Sequence, residues 1–185
     1  MRWLRSNWLY IVITLTVAFA VHVASVAFLP QLVMMRALSK MSGLHGYNTM
    51  THQPRVTSAS RAVVRPSPDL LYSACPFDID KIGSALRVRV TGMPQSYWSV
   101  SLFDAETNNF YALNDRQAKT GSVDFVIVGP HTGIIDDAAV GAPRQVRSPT
   151  VRGLVLFRTL IDEEKHFPAI DKVRRSASCT PYGRQ

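Results

Sequence analysis

Six polar residues stand near the ends of predicted strands, where their side chains could bind a ligand or take part in catalysis. They are Arg65, Asp69, Tyr72, Asp104, Asn108 and Asn109. If they converge on one pocket, the two aspartates could act as an acid and base pair, provided that their surroundings separate their pKa values. The alternative is structural, because Asp and Asn side chains hydrogen-bond their own backbone in turns and Arg pairs with nearby carboxylates. The sequence leaves both interpretations open.

Motifs of nucleophilic or metal-dependent catalysis are missing from the sequence. Ser73 and His131 could supply a nucleophile and a base, but nothing in the sequence brings them together. His45 and His52 have no acidic or Cys neighbours, so they are a weak metal pattern. The chain also lacks GxSxG, HExxH and a phosphate-binding glycine loop. We therefore predict no catalytic residue, no metal ligand and no cofactor.

Cys75 and Cys179 are the two cysteines of the chain. They are too few for a disulfide-dense scaffold or a zinc site built from cysteines alone. In an oxidising compartment the simplest outcome is an intrachain disulfide, which would hold the C-terminal tail to the domain. Two free thiols and an intermolecular bridge are the alternatives. The cysteines do not form a CxxC motif, which argues against a redox pair.

An apolar segment near the N-terminus predicts a membrane span. Residues 8–29 carry no Asp, Glu, Lys or Arg, and at 1.5 Å per residue they extend roughly 30 Å, the thickness of the hydrocarbon core. Arg2 and Arg5 precede the span, so the positive-inside rule places residues 1–7 in the cytoplasm and the C-terminal domain in the periplasm of a bacterial cell. A cleaved signal peptide has a shorter apolar part, which favours an uncleaved signal anchor in the inner membrane; cleavage is the alternative.

Residues 30–59 are predicted to connect the span to the domain. We expect Pro30 to end or kink the membrane helix. A short amphipathic helix should follow, with its apolar row formed by Leu32, Met35, Leu38 and Met41, lying on the membrane or packing on the domain. The remainder is rich in Gly, Ser, Thr and Asn and predicts a linker or surface loop.

The pattern changes to alternation of apolar and polar residues over 60–185. Seven short segments predict strands: RAVV, LLYSA, LRVRVT, YWSVSLFD, NFYAL, SVDFVIV and RGLVLFRTLI. Gly, Pro, Asp and Asn separate them, and no helical segment alternates with them. We therefore predict a mainly β fold, an antiparallel, jelly-roll-like β-sandwich preceded by a single transmembrane helix. One short helix is expected near the C-terminus, in DEEKHFPAIDKVRR, with Pro168 interrupting it or starting a second helix.

Composition and charge exclude several classes of protein. With 46% hydrophobic and 18% charged residues the chain is not intrinsically disordered, and 185 residues are too few for a TIM barrel. The net charge of +8 could indicate nucleic-acid binding. The predicted location outside the cytoplasm argues against that function. Contact with anionic lipid, or a solvated surface without a partner, explains the charge better.

A series of short motifs carries a resemblance to a known family. The motifs PDLLYS, SLFDAETNNF, IVGP, RSPT and RTLID occur in order within residues 60–172. This series resembles the bacterial domain of unknown function 1254, in a short membrane-anchored form. The chain departs from the family's pattern at Ser67 and Leu70, where Asn and Thr are frequent, so chemistry that needs those side chains is not implied.

The resemblance implies a sandwich-type β-module without a known catalytic mechanism. Such a module is often accompanied by a second one, the domain of unknown function 1214, which we expect a separate protein partner to carry. We predict a binding or assembly module of the cell envelope. The alternative is an envelope hydrolase or lyase that acts on glycan or lipid with carboxylates near Asp69 and Asp104.

Overall fold

A computed structural model describes residues 2–57, 60, 66–83, 85–118, 121–132 and 142–183 of the chain. The described part is mainly β, with one long N-terminal helix and a short helix near the C-terminus. The strands are β1 Thr51–His52, β2 Leu70–Asp78, β3 Ala85–Thr91, β4 Trp98–Asp104, β5 Asn109–Asn114, β6 Ser122–Val128, β7 Arg144–Arg147, β8 Arg152–Leu160 and β9 Ser178–Tyr182. The helices are α1 Arg2–His45, α2 Ile79–Ile82 and α3 Phe167–Arg175, and a 3-10 turn spans Glu164–His166.

The nine strands form two sheets. Sheet A has the order β1-β2-β8-β4-β5, and sheet B has the order β7-β6-β3-β9. Neighbouring strands are antiparallel except β6 and β7, which pair in parallel. The predicted β-sandwich is therefore confirmed, but the prediction of purely antiparallel pairing is wrong for this one pair.

The core lies between the two sheets, because alternate residues of each strand point inward. Phe77, Val100 and Phe157 contribute from sheet A, and Val88 and Phe125 contribute from sheet B. Each of these side chains is at most 1% exposed. Burial on this scale drives the two sheets together, since each large apolar side chain contributes about 1.5–3 kcal/mol.

The strands that the sequence predicts and those that form agree in the centre of the sheets. Six of the predicted segments correspond to β2, β3, β4, β5, β6 and β8. The RAVV segment at 61–64 lies outside the described residues. β1, β7 and β9 were not predicted, and all three are edge strands. Edge strands need little apolar alternation, because one side of their backbone has no sheet partner.

α1 is longer than the predicted membrane span. It continues through Pro30 to His45, so the predicted end of the helix at this proline is not observed. Within it, Asn7–Gly43 is the one helix of the described chain that is long and apolar enough to cross a membrane. Its most apolar 18-residue window has a mean hydropathy of 2.3, and none of that window is buried within the protein.

The last third of α1 packs on the outer face of sheet A. Met34 and Leu38 are buried there and Met41 is partly buried, all against a cluster that includes Ala74 and Leu154. The predicted row is therefore only half right: Leu38 and Met41 face the sheet, whereas Leu32 and Met35 are exposed. The observed row has i, i+4, i+7 spacing, which follows the 3.6-residue turn more closely than a strict spacing of three.

The predicted disulfide is confirmed. Cys75 of β2 and Cys179 of β9 are bonded, with their Cα atoms 6.6 Å apart. The bond joins sheet A to sheet B through the core, where both cysteines are buried. It therefore holds the C-terminal strand to the sandwich, as the sequence led us to expect. Nearby, α3 starts at Phe167 with Pro168 in its first turn, so the proline begins a helix and does not interrupt one.

Candidate functional site

Asp104 lies at the end of β4 and organises the turn that leads to β5. Its Oδ1 accepts hydrogen bonds from the backbone N–H groups of Glu106 and Asn108, both at 2.8 Å. Its Oδ2 accepts from the Asn108 side chain at 3.0 Å. Asp104 is 3% exposed, and Thr107 follows it with a φ of 71°, in the left-handed region. Three local donors thus occupy this carboxylate, which is the arrangement of a structural turn.

Asp69 and Tyr72 lie close together at the start of β2. The Tyr72 hydroxyl accepts a hydrogen bond from the backbone N–H of Ser67 at 3.0 Å, and the Asp69 N–H donates to the Ser67 hydroxyl at 3.4 Å. The Asp69 carbonyl accepts from Ile161 at 2.9 Å, which fastens the segment before β2 to the end of β8. The side chain of Asp69 remains exposed. Arg65, predicted beside these residues, lies outside the described part of the chain.

The sheet register separates the two predicted halves of the site. Asp104 pairs with Gly153 of β8, whereas Leu70, next to Asp69, pairs with Leu160 at the other end of that strand. Seven residues of β8 span about 23 Å. The structure therefore groups Asp69 with Tyr72 and groups Asp104 with Asn108 and Asn109, at opposite ends of sheet A. The two carboxylates cannot act on one scissile bond, since paired catalytic carboxylates lie within about 10 Å.

A buried polar cluster, which the sequence did not indicate, fastens α3 to β2. Arg174 is 1% exposed and donates to the backbone carbonyls of Gln53 at 3.0 Å and Tyr72 at 2.8 Å. It also pairs with Asp171 one turn earlier, through Nε at 2.8 Å. Every strong donor of the guanidinium is directed at an acceptor, so its burial is compensated.

The charges of this cluster shift two pKa values. Burial opposes ionisation of Asp171, but hydrogen bonds from Arg175 and Arg174 outweigh it and hold the pKa of this carboxyl below its usual value. Burial and the positive charges of Arg174 and Arg175 lower the pKa of His52, which the carboxylate of Asp171 opposes. His52 is therefore mostly neutral at pH 7.

Ser73 belongs to the same cluster and contacts His52, not His131. The His52 Nδ1 and the Ser73 Oγ are 2.8 Å apart. Ser73 has no exposed surface, so a substrate cannot reach its hydroxyl in this conformation. Within the described residues, no group of three His, Cys, Asp or Glu side chains could hold a metal ion. The arrangement stabilises the contact between α3 and β2 and lacks an accessible nucleophile.

A second junction ties the end of α1 to the end of β2. Asn48 adopts a φ of 61° and exchanges two hydrogen bonds of 2.9 Å with the backbone of Asp78. The buried Asp78 carboxylate accepts from Arg152 Nε at 2.8 Å. It also caps α2 by accepting from the Lys81 N–H at 3.4 Å. The spacing of Asp78 and Gly83 around a four-residue helix is a recognisable sequence signal, whereas the pairing with Arg152 is not.

A cavity of about 260 Å³ lies between α1 and the turn after β4. Gln31 and Met35 of α1 line one wall, and Glu106 and Arg152 line the other. Gln31 donates to the Glu106 carboxylate at 3.3 Å across this cavity. The long helix and the turn organised by Asp104 therefore meet here, which gives the predicted Asp104 cluster a place beside α1.

These features define the class of protein first: a two-sheet β-module attached to a long apolar N-terminal helix. The particular family is also shown, because the sequence profile described as "Protein of unknown function (DUF1254)" matches residues 47–181. The chain belongs to this family. No curated protein matches it.

Solved structures show the same fold. The VPA0106 protein from Vibrio parahaemolyticus is 14% identical and superposes with a TM-score of 0.61 over 89% of this chain and 42% of that chain. A putative uncharacterized protein from Burkholderia cenocepacia is 16% identical, with a TM-score of 0.48 over 86% of this chain and 42% of that one. The chain thus spans less than half the length of these solved structures.

Proposed function

We propose that the chain is a single-pass protein of the bacterial inner membrane whose periplasmic β-sandwich is a binding or assembly module of the cell envelope. In this proposal residues 1–7 are cytoplasmic and 8–29 span the membrane as an uncleaved signal anchor. Residues 30–59 connect the anchor to the domain, which comprises 60–185.

One observation carries the proposal: α1 is apolar and exposed over its first two thirds, yet packs on sheet A over its last third. Side chains such as Leu15, Phe19 and Val26 are 62–70% exposed within the protein. In water this surface would cost about 25 cal/mol per Å² of apolar area, so a bilayer is its natural environment. Because Met34 and Leu38 fix the same helix to the domain, the anchor holds the sandwich at the membrane surface.

The Cys75–Cys179 disulfide supports the periplasmic side, since such bonds persist in oxidising compartments. An added thiol can test this topology while the native disulfide is kept. We expect Lys165→Cys, on the exposed surface of the domain, to react with a membrane-impermeant maleimide once the outer membrane is permeabilised. The Ser6→Cys control should react only after the inner membrane is lysed. The reverse pattern would refute the orientation.

The sheet edges indicate where a protein partner could bind. Natural proteins protect edge strands with shortness, charge or proline. β1 has two residues, β7 carries an arginine at each end, and β9 contains Pro181. β5 is six residues long and uncharged. A bulge at Phe110 disturbs its start, but Tyr111–Asn114 pair regularly with β4, and no described backbone group hydrogen-bonds to their outer side.

We infer that β5 accepts a strand of a partner, as in β-strand addition. The partner proposed is a separately encoded protein with the companion β-module, the domain of unknown function 1214. The length of the Vibrio relative supports this idea, because more than half of that chain lies outside the match.

Co-purification in mild detergent tests the partner and the edge together. Ala112 is exposed on β5, so Ala112→Lys should leave the fold intact and reduce the recovery of the co-purifying protein at least tenfold. Thr180→Lys on β9 is the matched control and should not change the recovery. Equal recovery with both variants would refute the role of β5, and no specific co-purifying protein would refute the binding-module proposal.

A further inference from the structure

The cavity between α1 and the turn after β4 has the composition of a lipid head-group site. Six of its lining residues matter here: Gln31, Met35, Leu38, Tyr47, Glu106 and Arg152. Its volume of about 260 Å³ is below the range of about 300–1,000 Å³ that is usual for sites enclosing a whole drug-sized ligand. It can therefore hold a small polar group, with the remainder of the ligand outside.

The cavity begins where the membrane helix leaves the hydrocarbon core. Gln31 lies two residues beyond Leu29, or about 3 Å along the helix, and Leu38 lies nine residues beyond it, or about 13 Å. The polar layer of a bilayer extends about 5–7 Å on each side of the core. When residues 8–29 span the membrane, the mouth of the cavity is thus at the level of the phosphates, and helix tilt brings more of it into that layer.

The cavity presents a cation and a carboxylate at the same time. Arg152 uses Nε to bind Asp78, and no described residue accepts a hydrogen bond from its two terminal nitrogens. Its side chain is 58% exposed. Lys81 adds a second cation nearby, with its Nζ 4.5 Å from the centre of the Tyr47 ring. Glu106, in contrast, receives a single side-chain hydrogen bond, from Gln31.

We propose that this cavity binds the head group of a membrane phospholipid that carries both a phosphate and a primary ammonium. The Arg152 guanidinium binds the phosphate, and the Glu106 carboxylate accepts hydrogen bonds from the ammonium. Met35 and Leu38 provide an apolar wall for the glycerol and the first part of an acyl chain. A purely anionic head group satisfies Arg152 but leaves Glu106 facing a negative charge, so the residues favour the doubly charged lipid. The inference rests on the proposed membrane anchoring.

The test measures which lipids stay bound to the purified full-length chain. We would reconstitute it into bilayers with equal amounts of phospholipids carrying ethanolamine, glycerol and choline head groups, and count retained lipids by native mass spectrometry. We expect the ethanolamine lipid to be enriched about tenfold, the effect of one charge-assisted hydrogen bond. Choline lipid has the same charges but no ammonium proton, so it isolates the contribution of hydrogen bonding to Glu106.

Two variants and a control assign the effect to the cavity. Glu106→Gln should reduce the ethanolamine enrichment to within twofold of the other lipids. Lys81→Gln, which leaves the Asp78–Arg152 pair intact, should weaken retention of all three. Glu163→Gln, an exposed carboxylate remote in sequence from the lining residues, should change nothing. Enrichment that survives Glu106→Gln would overturn the inference.

Two further outcomes separate this inference from the function on which it rests. A chain that inserts into the bilayer but retains the three lipids equally would overturn the head-group site and leave the anchor standing. A chain that does not insert would overturn the anchor itself. Soluble phosphoethanolamine serves as a competitor: displacement of the lipid at equal concentration would show that the bilayer is not the source of the ligand and would also overturn the inference.

Discussion

Loss of the Cys75–Cys179 disulfide should be the most destabilising single chemical change available to this protein. The bond closes a loop of 104 residues, for which the chain-entropy relation gives about 4.7 kcal/mol at 25 °C. This is an upper value, because a denatured chain keeps some residual structure. It is comparable to the whole stability of a marginal domain, so the reduced protein should be partly unfolded near 37 °C.

The measurement is pulse proteolysis of the full-length chain in detergent across a guanidinium series, with and without reductant. The reduced protein keeps both sulfur atoms in the core, so its loss of stability reports the cross-link alone. The Cys75→Ala/Cys179→Ala variant also removes the two sulfurs, each about the size of a methylene and worth about 0.8 kcal/mol when buried. It should therefore be less stable than the reduced protein by about 1–2 kcal/mol. If oxidised and reduced protein differ by less than about 1 kcal/mol, the reasoning is wrong.

Three further predictions concern the polar groups and use denaturant unfolding of the full-length chain. Arg174→Ala should lower the free energy of unfolding by about 3–5 kcal/mol, because it strands the Asp171 carboxylate and two backbone carbonyls; a loss no larger than that of the exposed control Glu163→Gln would contradict this. The folded state depresses the pKa of His52, so the unfolded chain binds its proton first and stability should fall as the pH drops through about 6.5. His52→Gln should flatten that part of the pH profile, and an unchanged profile would contradict the assignment. Asp104→Ala should cost about 1–3 kcal/mol through its three lost hydrogen bonds, whereas a fully stable but inactive variant would make Asp104 a ligand-binding residue.

Local pattern was sufficient for the central strands and insufficient for the edges. LRVRVT alternates apolar and polar residues because β3 has one face on the core, and this pattern can be read without any partner. RQVR and SCTPY do not alternate clearly, and Pro181 argues against a strand. β7 and β9 form because β6 and β3 offer backbone donors and acceptors beside them, which is information that lies elsewhere in the chain.

The candidate site shows the same limit for a geometric reason. β2 and β4 both run antiparallel to β8, so they are parallel to each other. Asp69 precedes β2 and Asp104 follows β4, which places them at opposite ends of sheet A. Their local roles in turns were foreseeable from residue type, but their separation required the strand order. Arg174 was equally hidden, because a basic residue in the last turn of a helix ordinarily interacts with solvent and the helix dipole.

The sequence by itself determined the elements that depend on composition. A charge-free stretch of this length makes an apolar helix, and alternating segments between turn residues make a two-sheet β fold. Two cysteines in an oxidising compartment favour a single disulfide. The tertiary structure alone decided which faces and ends meet: the row of α1 that packs on sheet A, the burial of Arg174 under β2, and the cavity between Gln31 and Glu106. These contacts join residues that are far apart in the chain, so they follow from strand order and register, which no local pattern encodes.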